Sequence, residues 1–391
     1  MVPAAHPSHA EPSLGVKMTQ RLPAALTRLD IALHLLLDGV VPVEPIEVSL
    51  ADSVGRIAAS IPPLQTAHPV VSIAVADGWA LRARDIVGAS SYSPLPLASA
   101  PVWVEAGDRL PEHCDCVLDA DMVEQAGPMF QVLAEAIPGH GIRRAGDDIG
   151  VGRSIIAPGR QVTVCDTLAL RAIGLDRIEI RSPRVCVVDV MSTDGNTASS
   201  QFVLEFVKAA GARAIGVQTR KRDAASISAA VSEGAYDLLI TVGGTGLGRT
   251  DATVQAWAAS GAKLTHGLAL QPGRTAAVGK IDATPVVAVP GFPDQALAVC
   301  LLVVQPALDL LTARSPRQEI VRPLVRKVSS SIGVAEIVLL ESLDDKWMPI
   351  ATGQLSLDAI ARSEAWFVVP GDSEGYAAGT AVGAFSLRDM T

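Results

Sequence analysis

The stretch Leu238-Leu-Ile-Thr-Val-Gly-Gly-Thr-Gly-Leu-Gly-Arg-Thr-Asp251 decides the fold of this chain. Its first five residues are apolar or β-branched, which predicts a short buried strand over residues 238–242. Four glycines within residues 243–248 then interrupt any regular element, and residues 252–259 resume with a helical pattern. A buried strand, a glycine-rich turn and a helix in this order are typical of a parallel α/β sheet.

The same alternation of strands and helices extends on both sides of this unit. Short β-branched stretches predict strands, and apolar residues at three- and four-residue steps predict helices. The predicted strands are 185–190, 214–217, 238–242 and 286–289, and the predicted helices are 202–210, 224–231, 252–259 and 295–311. This order favours a doubly wound parallel sheet with helices on both faces. Ligands of such sheets bind at the carboxyl ends of the strands.

The segments outside this α/β region have different patterns. From Met18, leucines at helical spacing predict one amphipathic helix that ends before Gly39, and short strands and turns follow up to about Gly146. The residues after Pro316 show only short alternating segments, which predict a small all-β domain. We therefore predict an α/β multidomain protein. Its predicted parts are a flexible tail 1–17, a discontinuous helical and linker domain I of 18–58 plus 147–182, a β-rich domain II of 59–146, an α/β domain III of 183–317 and a C-terminal β domain IV of 318–391.

Composition and charge exclude several functional classes. The 391 residues are 49% hydrophobic and 19% charged, so the chain can bury large cores. Aromatic residues make up only 4% and the formal net charge is -9, which disfavours nucleic acid as a partner but is compatible with a small anionic ligand. Five scattered cysteines indicate a reducing, cytoplasmic setting. We predict no membrane segment, since the apolar strand stretches fall far below the about 20 residues of a membrane helix.

The glycine turn is the strongest candidate for a binding site. Glycines let the backbone approach an anion closely, and the N-terminal amides of the following helix favour negative charge. The turn is not a Walker loop, because no Gly-Lys-Ser/Thr follows, and it is not the G-x-G-x-x-G dinucleotide fingerprint. The alternative is a plain strand-to-helix turn with Asp251 as the helix N-cap.

Two further turns are predicted to lie near the same edge of the sheet. Pro272-Gly273-Arg274 and Pro290-Gly291-Phe292-Pro293 flank one predicted strand, and Arg274 and Lys280 would supply cations there. Taken singly, each turn is equally well explained as ordinary loop punctuation. Their convergence on one edge favours a shared site.

Several carboxylates and cysteines also lie in turns. Asp77, Asp148 and Asp194 each follow turn-forming residues, where an Asx cap is the alternative to a functional role. Cys114 and Cys116 resemble part of a metal cluster, but no second Cys or His pair follows at useful spacing. A cysteine metal site is therefore disfavoured.

Together these motifs resemble the molybdopterin molybdenumtransferase family, the MoeA and gephyrin E-domain type, from the first helix to the C-terminus. The matching segments follow the order of the family: 77–80 for D-G-Y-A, 107–117 for G-x-x-V-P-x-G-A-D-A-V, 142–149 for N-I-R-x-x-G-E-D-I, 192–194 for S-T-G-D-E, 243–251 for G-G-x-S-x-G-x-x-D, 272–274 for P-G-K-P and 290–293 for P-G-N-P. The glycine turn is also similar to the G-G-T-G-x-x-x-x-D of the related MogA adenylyltransferase fold.

The resemblance implies a fold, a reaction and an assembly. It implies a MogA-like doubly wound domain and a C-terminal β-barrel-like domain. The implied reaction inserts molybdate into molybdopterin or its adenylate with the help of Mg²⁺. The implied assembly is a homodimer in which the Asp77 module of one chain completes the site of the other. A MogA-like adenylyltransferase or a molybdoenzyme is an implied further partner.

The resemblance also assigns roles to residues. The implied catalytic residues are Asp77, Asp148, Asp194 and Asp251, and two of them, Asp194 and Asp251, are the implied magnesium ligands. The implied cofactor-binding residues are Gly243, Gly244, Thr245, Gly246, Gly248, Pro272, Gly273, Arg274, Pro290, Gly291 and Pro293.

The chain lacks several side chains of the family pattern. Where the family has Ser, Asp, Asn and Ser, this chain has Gly246, Arg249, Phe292 and Gln295, and the acid pair of S-T-G-D-E is reduced to Asp194. These departures favour an alternative, a catalytically eroded paralogue that binds molybdopterin or molybdenum cofactor as a carrier or assembly partner. A MogA-like adenylyltransferase is a third alternative, favoured only by the glycine turn.

Overall fold

The computed structural model describes residues 20–231 and 234–388, so the predicted tail 1–17 lies outside the described residues. The helices are α1 Leu29–Leu37, α2 Leu50–Ser53, α3 Val164–Ala172, α4 Ala198–Ala209, α5 Ala224–Val231, α6 Thr253–Ala259, α7 Pro293–Val299, α8 Gln305–Thr312 and α9 Leu357–Arg362. The strands are β1 Ile46–Ser49, β2 Ile57–Ser60, β3 Ile73–Ala74, β4 Gly78–Leu81, β5 Ser90–Pro96, β6 Val102–Val104, β7 Cys116–Asp119, β8 Val123–Ala126, β9 Met129–Ala134, β10 Ile142–Arg143, β11 Arg177–Arg181, β12 Arg184–Asp189, β13 Arg213–Gln218, β14 Leu238–Val242, β15 Lys263–His266, β16 Leu270–Gln271, β17 Ala277–Ile281, β18 Thr284–Val289, β19 Ile320–Pro323, β20 Val328–Ser329, β21 Ala335–Leu343, β22 Lys346–Thr352, β23 Ala365–Val369, β24 Gly375–Tyr376 and β25 Ala381–Ser386.

The described residues divide into two compact units. The first contains residues 20–60, Pro158–Thr167 and residues 177–388, and the second contains Ile61–Ala157 and Leu168–Asp176. The finer division into four domains stays a prediction.

The α/β sheet of the first unit is mixed rather than wholly parallel. Its strand order is β13-β12-β14-β18-β17-β15, and the four strands from β13 to β18 pair in parallel. β17 and β15 extend the sheet in antiparallel pairing. The prediction of a parallel sheet is wrong at this edge because only Asp282 and Ala283 connect β17 to β18. A two-residue connection makes a hairpin and cannot make a parallel crossover.

Aliphatic side chains cover both faces of this sheet. Val185 and Val187 of β12 lie in the large core on one face. Cys186 and Val188 alternate with them and pack on the other face, where Trp257 of α6 is buried. The predicted helices on both faces are thereby confirmed.

The longest helix of the chain lies in this core. A π-helical turn, Cys300–Val304, joins α7 to α8, so that Pro293–Thr312 is one continuous helix. By length and composition this helix could cross a membrane, but 78% of its apolar window is buried inside the protein. Such burial is what a core helix of an α/β sheet requires.

The C-terminal residues form a second sheet of the first unit. Its strand order is β16-β21-β23-β25-β19, and β22 pairs with β21. The helix α9 departs from the predicted all-β domain; its N-cap Ser356 accepts a hydrogen bond from the Ala359 N–H at 3.1 Å. Closure of these strands into a barrel stays a prediction.

The first helix is shorter than the leucine spacing predicts. α1 begins at Leu29, and residues 20–28 are not helical. The Thr27 N–H instead donates to the Gly267 carbonyl at 2.9 Å. Leu22 and Leu26 lie close to Gly267, so packing on this turn satisfies their apolar side chains without a helix. Farther along, β11 pairs with both β1 and β2, so residues 177–181 lie beside the N-terminal strands. The discontinuous domain I stays a prediction.

The second unit is rich in short strands, as predicted. It contains the three-stranded sheets β6-β4-β7 and β5-β9-β8 and the pair β10-β3. Leu81, Cys116, Leu118 and Val132 are buried in its core.

Candidate functional site

The glycine turn begins where β14 ends and leads into α6. Gly243 and Gly244 have φ values of 95° and 67°, which L side chains rarely adopt. A Cβ on Gly244 would lie 2.5 Å from Oγ1 of Thr253, whose hydroxyl donates to the Gly243 carbonyl at 2.8 Å. Position 244 therefore requires glycine for both its backbone conformation and its contact with Thr253.

Asp251 organises the second half of the turn. Its Oδ2 accepts a hydrogen bond from the Gly248 N–H at 2.9 Å, and a Cβ on Gly246 or Gly248 would come within 2.6 or 2.8 Å of the same oxygen. The interpretation of Asp251 as the helix N-cap is wrong, because α6 begins at Thr253 and its N-cap residue is Ala252. The carboxylate of Asp251 instead closes the turn on itself.

Arg222, which is not among the predicted site residues, pairs with Asp251. Its Nη2 donates to Oδ1 of Asp251 at 2.6 Å, and its Nη1 donates to the Met191 carbonyl at 3.1 Å. The side chains of Arg222 and Asp251 are only 26% and 12% exposed. Within the described residues, Nε of Arg222 is buried without a hydrogen-bond partner. The basic run 220–222 after the strand predicted at 214–217 was the available signal, since it lies at a carboxyl end.

Gln20 holds the turn from the side of the N-terminal segment. Its buried amide donates to the carbonyl of Gly244 at 2.9 Å and also to the carbonyl of Gly246. Its Oε1 accepts from the Val254 N–H at 3.3 Å. No local pattern could have indicated this role, because the partners are more than 220 residues away in sequence.

Asp194 lies in an exposed turn between β12 and α4. The Asn196 N–H donates to its Oδ1 at 3.1 Å, and this bond, with the nearby Ser192 hydroxyl, lowers the pKa of Asp194 below its ordinary value. Asn196 in turn accepts from the Ala198 N–H at 2.9 Å with its side-chain oxygen. Asp194 is thus an ionised turn residue, as the Asx alternative predicts.

A cavity of about 430 Å³ lies at the carboxyl ends of β12, β14 and β18. It brings together many of the predicted site residues, namely Asp194, Asp251, Gly243, Gly244, Thr245, Gly246, Pro290, Gly291 and Pro293. It is also lined by residues that were not predicted to have a role, among them Arg222, Ser199 and Phe292. The Ser199 hydroxyl donates to the Gly291 carbonyl at 2.7 Å and so joins the start of α4 to the loop before α7.

The other predicted turn lines an adjoining cavity of about 740 Å³. Pro272, Gly273 and Arg274 lie there, and both Thr275 and Gln295 line the two cavities. One strand was predicted between the two Pro/Gly turns, but two strands, β17 and β18, lie between them. Because these strands are antiparallel, the start of β17 and the end of β18 share one edge.

The expected cations divide between the two ends of β17. Arg274 is exposed in the larger cavity. Lys280 lies at the opposite end of the strand, where it pairs with Pro285 and its Nζ donates to the Asp38 carbonyl. The expectation of Lys280 at the site is therefore wrong.

The remaining predicted catalytic carboxylates belong to the second unit. Oδ1 of Asp77 accepts from the Ala106 N–H at 2.8 Å, and Oδ2 of Asp148 accepts from Nη1 of Arg143 at 3.3 Å. Both residues are exposed. Neither bond is the local Asx cap of the structural alternative, because Ala106 is 29 residues from Asp77 and the partner of Asp148 is an arginine side chain. The catalytic roles of Asp77 and Asp148 stay predictions.

The carboxylates of Asp251 and Asp194 are already hydrogen-bonded within the chain and do not form a preorganised magnesium site. One oxygen of Asp251 binds the Arg222 guanidinium and the other a backbone amide, and Asp194 bonds the Asn196 amide. Across residues 20–231 and 234–388, no group of three or more His, Cys, Asp or Glu side chains is arranged to hold a metal ion. A cation at Asp251 would have to bind beside the Arg222 guanidinium, whose charge repels it. Arg249 is exposed and is not among the residues that line the cavity.

Two family models and several known proteins are similar to this chain. A family described as a probable molybdopterin binding domain matches residues 185–310, and the MoeA N-terminal region (domain I and II) matches residues 27–174. Molybdopterin molybdenumtransferase 2 of Mycobacterium tuberculosis is 27% identical over 305 residues, which are 68% of this chain and 75% of that protein. The molybdopterin molybdenumtransferase of Synechococcus elongatus is 24% identical over 356 residues, which are 80% of this chain and 87% of that protein.

A solved structure shows the same fold. The crystal structure of the molybdopterin biosynthesis MoeA protein from Pyrococcus horikoshii aligns with a TM-score of 0.69 at 24% identity. The alignment covers 92% of this chain and 99% of that one.

Proposed function

Because this chain belongs to the MoeA family, we propose that it acts as a molybdopterin molybdenumtransferase in molybdenum cofactor biosynthesis. The observation that carries the proposal is the glycine turn at the edge of the 430 Å³ cavity. Gly243, Gly244 and Gly246 of this turn line the cavity without Cβ atoms, so an oxyanion can approach the backbone closely. The terminal phosphate of molybdopterin is such an oxyanion.

The two adjoining cavities suit the two substrates. Molybdopterin would lie in the cavity of the glycine turn, where Arg222 adds a fixed positive charge beside the turn. Molybdate, a small tetrahedral oxyanion, would lie in the larger cavity beside Arg274. Thr275 and Gln295 line both cavities and would lie between the two substrates. The proposal includes the adenylate of molybdopterin as the form that reacts.

The four predicted acidic residues have different proposed roles. Asp194 and Asp251 line the molybdopterin cavity, and Asp251 acts there by fixing the turn and Arg222. Magnesium would supply charge neutralisation at the phosphate. An ion at Asp251 would compete with the Arg222 guanidinium that already pairs with this carboxylate. Asp77 and Asp148 are proposed to act from the partner chain of a homodimer, on the basis of the family resemblance. The setting is proposed to be the cytoplasm.

A second candidate function has one specific observation in its favour. The Arg222–Asp251 ion pair occupies the acid that the family pattern would offer to a metal, and Gly246 and Gln295 stand where the family has hydroxyl groups. A chain with these features can bind the cofactor without turning it over. The second candidate is therefore a carrier or assembly partner for a molybdoenzyme.

The test is complementation of a bacterial strain that lacks its molybdenum insertase, scored by the activity of a molybdoenzyme. Two arginines in exposed loops make a matched pair, because Arg274 lines the larger cavity and Arg249 lines neither. We expect the natural chain and Arg249→Gln to restore activity and Arg274→Gln to fail. Failure of the natural chain, with molybdopterin still bound in calorimetry, would favour the carrier. Failure with no molybdopterin binding would contradict both functions.

A further inference from the structure

Phe292 is one of three exposed aromatic side chains among the described residues, together with Tyr92 and Trp103. It is 70% exposed, although most of the large apolar side chains of the α/β core are buried. Among the described residues that line the two cavities, it is the only aromatic one. The chain has only six phenylalanines, and this one lines the cavity of the glycine turn with its side chain exposed to water. An exposed ring forgoes the stabilisation that burial would provide.

The backbone around Phe292 is held in place on both sides. The preceding carbonyl, of Gly291, accepts the Ser199 hydroxyl at 2.7 Å. The Phe292 carbonyl accepts the Ala296 N–H at 2.8 Å, and Pro293 fixes the first turn of α7. The helix that follows is buried in the core. The backbone of Phe292 is therefore fixed, while its ring is exposed to water.

The rest of the cavity defines what such a ring could bind. The glycine turn and Arg222 offer amide and guanidinium groups, which suit an anionic group. Phe292 offers a flat apolar surface on the loop after β18. A ligand that uses both features must combine a negatively charged group with a flat ring system.

We propose that Phe292 is a specificity-determining residue on which a flat, fused-ring nitrogen heterocycle stacks while the anionic group of the same ligand binds at the glycine turn. The inference rests on the proposed function and deepens it, because it names the part of the ligand that this loop recognises. The heterocycle could be the pterin of molybdopterin or the adenine of its adenylate. The family pattern has Asn at this position, so the stacking contact is a property of this chain.

The test is titration of the full chain with molybdopterin, with AMP and with inorganic phosphate. The variants are Phe292→Ala, which removes the ring, Phe292→Leu, which keeps apolar area without a ring, and Phe292→Trp, which keeps a flat ring. Tyr92→Ala is the matched control, because Tyr92 is fully exposed in the second unit and lines neither cavity. Stacking has a spectroscopic signature in quenched fluorescence and reduced absorbance of the bound heterocycle.

The expected result is a loss of affinity of about tenfold in Phe292→Ala and Phe292→Leu, equal to ~1.4 kcal/mol, for whichever heterocycle stacks. Phe292→Trp and Tyr92→Ala should keep the natural affinity and the optical signature, and phosphate binding should be unchanged in every variant. Natural affinity of Phe292→Ala for both molybdopterin and AMP would overturn the inference. If the natural chain binds AMP in a Phe292-dependent way and binds no molybdopterin, the proposed function is contradicted and the stacking role stands.

Discussion

Nη2 of Arg222 lies 2.6 Å from Oδ1 of Asp251, and this ion pair joins the loop after β13 to the glycine turn after β14. Both side chains are largely shielded from water. The guanidinium therefore lies beside the turn that is proposed to bind phosphate, and the Asp251 carboxylate offsets its charge. The pair also gives the Asp251 carboxylate a cation from the chain itself, which reduces its need for a divalent ion.

Arg222→Gln should reduce both stability and anion binding. We expect a free energy of unfolding lower by about 1–3 kcal/mol, because Asp251 keeps its charge but loses its cation in a shielded place. Phosphate affinity should fall about tenfold with the loss of the guanidinium. Urea unfolding and calorimetry measure the two effects. The control is Arg184→Gln, which breaks an ion pair with Asp237 whose arginine is 49% exposed. Equal losses in the two variants would contradict a special role of Arg222.

Gln20→Glu tests the bracing of the turn by the N-terminal segment. In the natural chain, the carbonyls of Gly244 and Gly246 accept hydrogen bonds from the side-chain amide of Gln20. The change keeps the shape of the side chain but places carboxylate oxygens against these two carbonyls. We expect a free energy of unfolding lower by about 1–3 kcal/mol, since two carbonyls lose their donor. Gln125→Glu is the control, because Gln125 makes a comparable bond to the Gly127 carbonyl at an exposed position. A Gln20 variant as stable as the control would show that the brace contributes nothing.

Gly244→Ala tests the close contact with Thr253 separately from the backbone conformation. Gly244 and Gly261 both have positive φ, of 67° and 85°, but a Cβ on Gly261 meets no atom within 4 Å. We expect Gly261→Ala to lower the free energy of unfolding by about 1–2 kcal/mol through its conformation alone. Gly244→Ala should cost about 1 kcal/mol more, because the Thr253 hydroxyl must give up its bond to Gly243. Chemical denaturation measures both values, and equal costs would contradict the contact.

The proposed homodimer makes a prediction for mixed variants. If Asp77 of one chain completes the site that contains Asp251 of the other, Asp77→Ala and Asp251→Ala chains should each be inactive alone. A mixture of the two should regain about a quarter of the natural activity, since one of the two sites is intact in the half of the dimers that are mixed. Activity in the reconstituted insertion reaction and the mass of the assembly by light scattering are the measurements. No recovery in a mixture that is still dimeric would show that the site is not shared.

The βα units of the sheet were predictable because their patterns are local. The strand Leu238–Val242 and the helix Ala224–Val231 have the bounds that apolar spacing predicts, since each pattern is determined by neighbours in sequence. The hairpin of β17 and β18 was missed because a two-residue turn at Asp282 contains no glycine, the usual sign of such a turn. α1 was predicted too long because the leucines at 22 and 26 pack on a distant turn.

The candidate site was predictable only in its backbone. Glycine and proline turns are visible in the sequence because they restrict φ, and most of them meet in the two cavities. The side chains that organise them were not visible. Arg222 reaches Asp251 from another loop, and Gln20 reaches the turn from the far end of the chain. Such contacts depend on the tertiary fold, which no local pattern encodes.

We propose that the glycine turn binds the phosphate of molybdopterin. The most direct measurement is calorimetric titration of molybdopterin into the natural chain and into Gly244→Val, with circular dichroism to establish that the variant is folded. We expect measurable binding by the natural chain and none by the folded variant, because a branched side chain at Gly244 would enter the space of Thr253 and distort the turn. Unchanged molybdopterin affinity in folded Gly244→Val would contradict the proposal.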